Sequence, residues 1–210
     1  MIVTIFGATG MVGKQLVTHS LAKGYHVRAF GRSVEGLIDA DLRHENFEAI
    51  KGYVFDATDV QHAITGAHAV LSALGGAFDG SDHTRSLGIK NIATQMATVG
   101  LTRIVALGGY GVLPNNKGGY LLDAPDYPIN YLPVGLEHKA AYECLKASAL
   151  DWTFVCSPNI VDGDADGQFE TQAEAAAQSM HIGAGNLAMF MVNELSSNVY
   201  VKSRVGIGNG

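Results

Sequence analysis

Residues 1–16, MIVTIFGATGMVGKQL, decide how the rest of the chain is read. Ile2–Phe6 is a short apolar run with β-branched residues, which reads as a buried strand. It enters a glycine turn at once. A helical pattern follows over Met11–Lys23, with Val12, Leu16 and Val17 on one side. Glycines stand at 7, 10 and 13. Gly7 supplies the positive φ that a tight strand-to-helix turn needs. Gly10 lets the backbone come within contact distance of a diphosphate, and Gly13 lets the helix pack closely on the sheet. The exposed N–H groups of the turn and the positive end of the helix then face two phosphate charges. The plain alternative is a structural turn with incidental glycines. The strand before, the helix after and a second strand at the right distance favour dinucleotide binding. Thr9, Met11 and Val12 belong to the same cradle.

Strand and helix alternate outward from this point. His26–Phe30 reads as a strand, Ser33–Arg43 as helical and Glu48–Phe55 as extended. Thr58–Thr65 is a short helix closed by Gly66, and His68–Leu74 a fourth strand. Thr84–Val99 repeats Ile89, Ile92, Ala93 and Met96 at helical spacing and ends at Gly100. Thr102–Leu107 is a fifth strand, Leu136–Ser148 a helix and Trp152–Ser157 a sixth strand. Such alternation implies right-handed βαβ units, so the fold class is α/β: a Rossmann-type doubly wound parallel sheet with helices on both faces. The first strand should lie centrally, at the switch in strand order where ligands bind. Residues 160–210 are expected to form a small α+β lobe on the substrate side of a single domain. Within it, Gln168–Thr171 and Gln178–Ile182 read as short strands and Leu187–Leu195 as a helix with Phe190 and Met191 inward. Residues 110–135 break the alternation. They hold four of the five prolines and four of the eight tyrosines, and a loop of that length is usually functional or mobile.

Composition narrows the function. Of 210 residues 47% are hydrophobic and 16% charged, enough for a large core. The net charge is −6 and no basic run occurs, so a nucleic-acid partner is not supported. No apolar stretch is long enough to span a membrane, and a signal-peptide pattern is absent, so a cytoplasmic location is the expectation. Cys144 and Cys156 read as small core residues of a reducing compartment. The eight histidines include no pair at i, i+3 or i, i+4, so no metal is expected.

The strand ends indicate which dinucleotide is bound. An NAD enzyme usually places Asp or Glu about 20 residues past the motif, against the ribose 2′-OH. This chain has AFGRS there. Arg32 offers a cationic fork and Ser33 a hydroxyl, which suits a 2′-phosphate, so NADP is favoured over NAD. A solvated loop charge is the plain alternative for Arg32. In VFDATD, Asp56 with Ala57 follows the third extended segment, where the carboxylate could accept from an adenine amino group. Asp59 is read as the cap of the next helix. Leu74, Gly75 and Gly76 end the fourth strand and again allow close approach.

With these pieces the chain resembles the atypical short-chain dehydrogenase/reductase proteins. They include NmrA-like proteins, the biliverdin reductase B/flavin reductase group and bacterial NADH-flavin reductases. The segments IFGATGMVG, VRAFGR, FDATD, AVLSALGG, TRIVALGGYGV, HKAAYECLKASALDWTFVCSPNI and GNLAMFMVNEL occur in family order. In the last, Asn186 stands where the family has Asp. The resemblance implies a catalytic Ser, Tyr and Lys, with Tyr four residues before Lys. The matching lysine is Lys139, but Gly135 stands at the tyrosine position and Gly108 or Gly109 at the serine position. Lys139 is therefore expected both at the cofactor and in catalysis; an i, i+4 pair with Glu143 on an exposed helix face is the plain alternative and is compatible with that role.

The missing groups shift the expected chemistry. Reduction of an isolated carbonyl localises charge and needs a general acid. Hydride transfer to a flavin or bilin spreads the charge and depends mainly on positioning. The expected function is thus NADPH-dependent reduction of a small planar conjugated acceptor such as a flavin. A redox-sensing regulator with a protein partner is the alternative, and an epimerase or dehydratase is disfavoured by Gly135. On the substrate side the candidates are Phe78, Tyr110 and Asn159, with Pro158 near the nicotinamide. Tyr110 could replace the missing acid, and His138 could donate a proton or be a surface histidine.

Overall fold

The computed structural model describes residues 1–37, 45–197 and 199–210. The opening strand β1 (Ile2–Phe6) turns Val3 and Ile5 to one face of the sheet and Phe6 to the other. Thr4 is fully buried and donates its hydroxyl to the Ala63 carbonyl at 2.8 Å. Helix α1 (Met11–Ala22) follows, then β2 (His26–Gly31). Of the segment expected to be helical over Ser33–Arg43, Val34–Leu37 forms one 3₁₀ turn; residues 38–43 lie outside the described residues. Strand β3 is Phe47–Lys51, shorter than the Glu48–Phe55 expected. Gly52 ends it, because a Cβ there would meet the Phe30 ring at 2.4 Å and the chain must turn away. Helix α2 (Ala57–Ile64), β4 (Ala69–Ser72), α3 (Thr84–Val99) and β5 (Arg103–Gly109) continue the alternation.

Residues 110–131 carry three short 3₁₀ turns, and α4 (Leu132–Lys146) begins four residues before the expected Leu136. Pro133 lies in its first turn, where its missing N–H costs no helical bond. Strands β6 (Asp151–Ser157), β7 (Asn159–Val161), β8 (Phe169–Ala173) and β9 (His181–Gly183), helix α5 (Ala184–Glu194) and β10 (Ser203–Asn209) complete the chain.

The main sheet runs β3-β2-β1-β4-β5-β6-β10-β8. All its pairs are parallel except β10 with β8, so the chain is a Rossmann-type α/β protein. β1 pairs with both β2 and β4, which puts the switch in strand order at its carboxyl end. One face carries α2, α3 and α4 over Phe6, Phe30, Val70, Ile104 and Phe154; the other carries α1 and α5 over Val3, Ile5, Val105 and Val155. The expected strand over Gln178–Ile182 is instead β9, paired with β7 in a separate two-stranded sheet. β7 and β10 escape sequence reading. In β10 the glycines are required by crossing chain: a Cβ on Gly206 would meet the Ala175 carbonyl oxygen at 2.1 Å. Thus β8 and β10 of residues 160–210 extend the main sheet, while β7 and β9 stand apart. Asn186 in α5 pins this region by accepting from the Asp166 and Gly167 amides, both at 3.0 Å.

Candidate functional site

A cavity of about 1310 Å³ runs across the carboxyl ends of the parallel strands. The glycine turn forms one wall. Gly7 has φ +78°, and a Cβ on it would meet the Ala73 carbonyl oxygen at 2.3 Å. A Cβ on Gly13 would meet the Gly7 carbonyl oxygen at 2.0 Å. Both glycines are thus demanded by the protein's own backbone. Gly10 differs. Its φ is −74°, and the nearest atom to a Cβ would be the Gly7 carbonyl oxygen at 3.5 Å. The fold leaves that space open toward the cavity. Gly10 also caps α1 without a side-chain bond, and the first turn has no acidic residue. Unpaired N–H groups and a bare turn fit a diphosphate.

Most of the expected residues converge on this cavity. Gly7, Thr9, Gly10, Met11, Val12, Gly13, Arg32, Leu74, Gly75 and Gly76 line its nucleotide side, and Phe78, Tyr110, His138, Pro158 and Asn159 the other. Four do not line it. Ser33 is exposed beside Arg32. Asp56 is the N-cap of α2, its carboxylate accepting from the Thr58 amide at 2.8 Å and the Asp59 amide at 3.0 Å, with Ala57 the first helical residue. The cap is therefore Asp56 and not Asp59, which accepts from the Tyr53 amide. Lys139 points elsewhere: its Nζ lies 3.7 Å from Asp123 and 4.6 Å from the centre of the Tyr120 ring. The expected pair with Glu143 is not formed, because the Tyr120 hydroxyl donates to that carboxylate.

The three glycines at the expected catalytic positions are filled from other parts of the chain. A Cβ on Gly108 would meet the Phe154 ring at 2.1 Å, and one on Gly109 the His138 ring at 2.8 Å. Beside Gly135 the Tyr127 hydroxyl takes the room, 3.3 Å from where a Cβ would stand. Tyr127 lines the cavity together with Tyr131 and Pro128. Burial raises its phenol pKa, so the hydroxyl stays protonated. Sequence reading missed Tyr127, and also Tyr53 and Phe55 on the nucleotide side, whose rings meet edge to face at 5.0 Å. A proline- and tyrosine-rich loop was the one signal for Tyr127. For Tyr53 and Phe55 the signal was two aromatics at a strand exit.

His138 is no surface residue. Its Nδ1 is enclosed without a hydrogen-bond partner, and desolvation, with the Arg85 charge second, lowers the imidazole pKa to about 3. At neutral pH it is uncharged and has no acidic proton to give. An unfolded histidine protonates near 6.5. Between those two values the unfolded chain binds more protons, so His138 costs stability as pH falls from 6.5 and costs none above it. Urea unfolding of His138→Gln is expected to show a shallower loss from about pH 6.5 to about pH 5, by up to ~1.4 kcal/mol per pH unit. Equal slopes in both proteins would contradict the buried neutral ring.

Comparison with known proteins agrees with this geometry. The NAD(P)H-binding family matches residues 7–198. Cinnamoyl-CoA reductase 1 of Oryza sativa subsp. japonica is 26% identical over 132 residues, which cover 58% of this chain and 39% of that protein. The chain thus spans about two fifths of that relative's length. A provisionally named NADH-flavin reductase from Streptococcus pneumoniae superposes with a TM-score of 0.84 at 24% identity, covering 100% of both chains. A short-chain dehydrogenase/reductase from Veillonella parvula, solved with NADP, gives a TM-score of 0.76 at 18% identity, covering 99% of this chain and 94% of that one. Among the described residues no helix is long and apolar enough to cross a membrane, and no group of three or more His, Cys, Asp or Glu converges as a metal site. By its glycine turn, its strand order and a family match over nearly its whole length, the chain belongs to the NAD(P)H-binding family of atypical short-chain dehydrogenase/reductase proteins.

Proposed function

We propose that the protein is an NADPH-dependent reductase of a planar conjugated acceptor, a flavin above all. The observation that carries this reading is the filling of Gly108, Gly109 and Gly135 by Phe154, His138 and Tyr127. The site lacks an anchored Ser–Tyr–Lys set but keeps a wide cavity walled by Phe78, Tyr110, Tyr127 and Tyr131. Such a cavity positions rings against each other, and positioning is the main requirement for hydride transfer between conjugated systems.

Each residue has a distinct task in this reading. Gly7, Gly10 and Gly13, with the α1 amides, hold the diphosphate. Arg32, exposed on the cavity rim, pairs with a 2′-phosphate and selects NADP over NAD. Tyr53 and Phe55 flank the adenine. Leu74, Gly75, Gly76 and Pro158 give close main-chain approach along the strand ends. When bound, NADPH supplies the hydride. Phe78 and Tyr110 exclude water from the acceptor, with Asn159 at its edge, and Tyr127 gives the wall a neutral hydrogen-bond donor. The S. pneumoniae relative's name supports the choice of a flavin.

Protein mixed with NADPH and FMN is expected to lose the reduced-nicotinamide absorbance at a rate proportional to protein. Tight NADP binding without oxidation by any flavin or quinone would sink this reading. It would favour a redox-sensing regulator that passes its cofactor state to a protein partner, a role consistent with Lys139 being turned to Asp123.

A further inference from the structure

The segment between β4 and α3 brings a second histidine to the cavity, one outside every catalytic residue considered so far. His83 lines the cavity and its side chain is 61% exposed. Its Nδ1 lies 2.7 Å from Glu137 Oε1 on α4. The Glu137 side chain is only 10% exposed, and its other oxygen accepts from the Ser86 hydroxyl at 2.8 Å and the Ser86 amide at 3.2 Å. Glu137 therefore sits between two helices with both oxygens engaged. It holds Nδ1–H of His83, so Nε2 is the nitrogen left free for the cavity. A carboxylate that fixes an imidazole in one orientation, with the second nitrogen facing a ligand space, is the arrangement of a general acid and its anchor.

Resting on the reductase reading above, we propose that His83 donates the proton that accompanies hydride to the acceptor, and that Glu137 is its positioning residue. The atoms balance without a further reactant. The reduced nicotinamide is oxidised as its hydride passes to the acceptor, which gains two electrons. An N–H or O–H bond forms on the reduced conjugated system as the Nε2–H bond of His83 breaks. The exposed imidazole then recovers its proton from water.

The alternatives in the wall are less suited. Tyr127 has a raised phenol pKa and His138 a lowered imidazole one, so neither has a transferable proton near neutrality. His83 is shifted up from the ordinary histidine value by the hydrogen bond and then the charge of Glu137, and further by Asp82. That places it nearer to neutral pH, where a general acid works best. The charged groups around the dyad are Glu137 on α4, Asp82 beside it in the segment, and Arg85 in the first turn of α3. Arg85 is tied to the Gly76 and Ala77 carbonyls.

The test compares wild type, His83→Ala and Glu137→Gln with NADPH and FMN. His83→Ala is expected to lower kcat by about a hundredfold or more, to leave NADP affinity unchanged and to recover turnover with added imidazole. Wild-type kcat should fall as pH rises through the raised His83 value, and Glu137→Gln should move that fall to lower pH. Unchanged kcat and pH profile in His83→Ala would overturn the proposal, as would failure of imidazole to restore a lost rate. NMR titration of the His83 ring needs no turnover. It should show a pKa above the ordinary histidine value in wild type and a drop toward it in Glu137→Gln. If wild type oxidises no NADPH with any acceptor, the reductase reading itself fails and takes the donor role with it. In an active enzyme, an ordinary His83 titration overturns the anchor alone.

Discussion

Gly10→Val is expected to weaken NADP and NAD binding by at least about a hundredfold while the protein stays folded. The fold tolerates a side chain at this position. Gly10 is exposed, its φ is −74°, and the nearest atom to a Cβ would be the Gly7 carbonyl oxygen at 3.5 Å. Losing a favourable capping residue typically costs ~1 kcal/mol. The proposed diphosphate has no such tolerance. Forcing branched carbons into a filled contact costs ~1–3 kcal/mol, and each charge-assisted hydrogen bond displaced from the turn adds ~1.5–3 kcal/mol. The contrast with the neighbouring glycines makes the test selective. Gly7→Val and Gly13→Val would drive Cβ into carbonyl oxygens at 2.3 and 2.0 Å, so they should fail to fold. Calorimetric titration of Gly10→Val, alongside an unchanged circular dichroism spectrum, checks the prediction. Wild-type affinity would remove the diphosphate from that turn.

Arg32→Asp should change the ratio of NADP to NAD affinity by about a hundredfold, with most of the loss on NADP. A bidentate charge-assisted pair contributes ~1.5–3 kcal/mol, and the new carboxylate would repel a 2′-phosphate while accepting from a 2′-OH. Arg32 is exposed on the cavity rim, so the substitution should leave the unfolding free energy within ~0.5 kcal/mol of wild type. Binding isotherms for the two dinucleotides decide the matter. Equal loss for both would place the 2′-phosphate elsewhere.

The two predictions differ in how far each could be read without a structure. The glycine turn is a local feature. Strand, turn and helix are contiguous; Gly7 and Gly13 answer constraints from the adjoining strand end and from within the turn, while Gly10 is left open to the cavity. The central place of β1 was legible for the same reason, because βαβ handedness leaves few alternatives. Arg32 follows the second strand and reaches the cavity as its place in the sequence implied, while the dinucleotide preference read from the missing carboxylate is what the binding isotherms test.

The substrate side was legible in part. Phe78, Tyr110, His138, Pro158 and Asn159 all line the cavity: Tyr110, Pro158 and Asn159 from just past strand ends, Phe78 from the segment after β4, and His138 from the middle of α4. Their states were not readable. His138 looks like a surface residue on the α4 pattern, yet Gly109 across the gap leaves room for its ring and α4 presses it inward. Lys139 matches a familiar spacing, yet the 110–131 loop supplies Asp123 and Tyr120 to draw it off. A loop eight residues upstream of Gly135 fills that glycine's space with the Tyr127 hydroxyl. β10 was missed because its glycines suppress the strand pattern, and their purpose lies in the chain that crosses them.

The sequence by itself determined the opening β-turn-α unit, the alternating order of elements, the parallel sheet and the line of glycines at its carboxyl edge. These follow from periodicity and from backbone conformations that neighbouring residues dictate. Only the tertiary structure decided which side chains occupy the space above Gly108, Gly109 and Gly135, where Lys139 points, and that His83 meets Glu137 across 54 positions of chain. Those outcomes depend on which faces of distant elements are pressed together, and no local pattern encodes the partner that packing will supply.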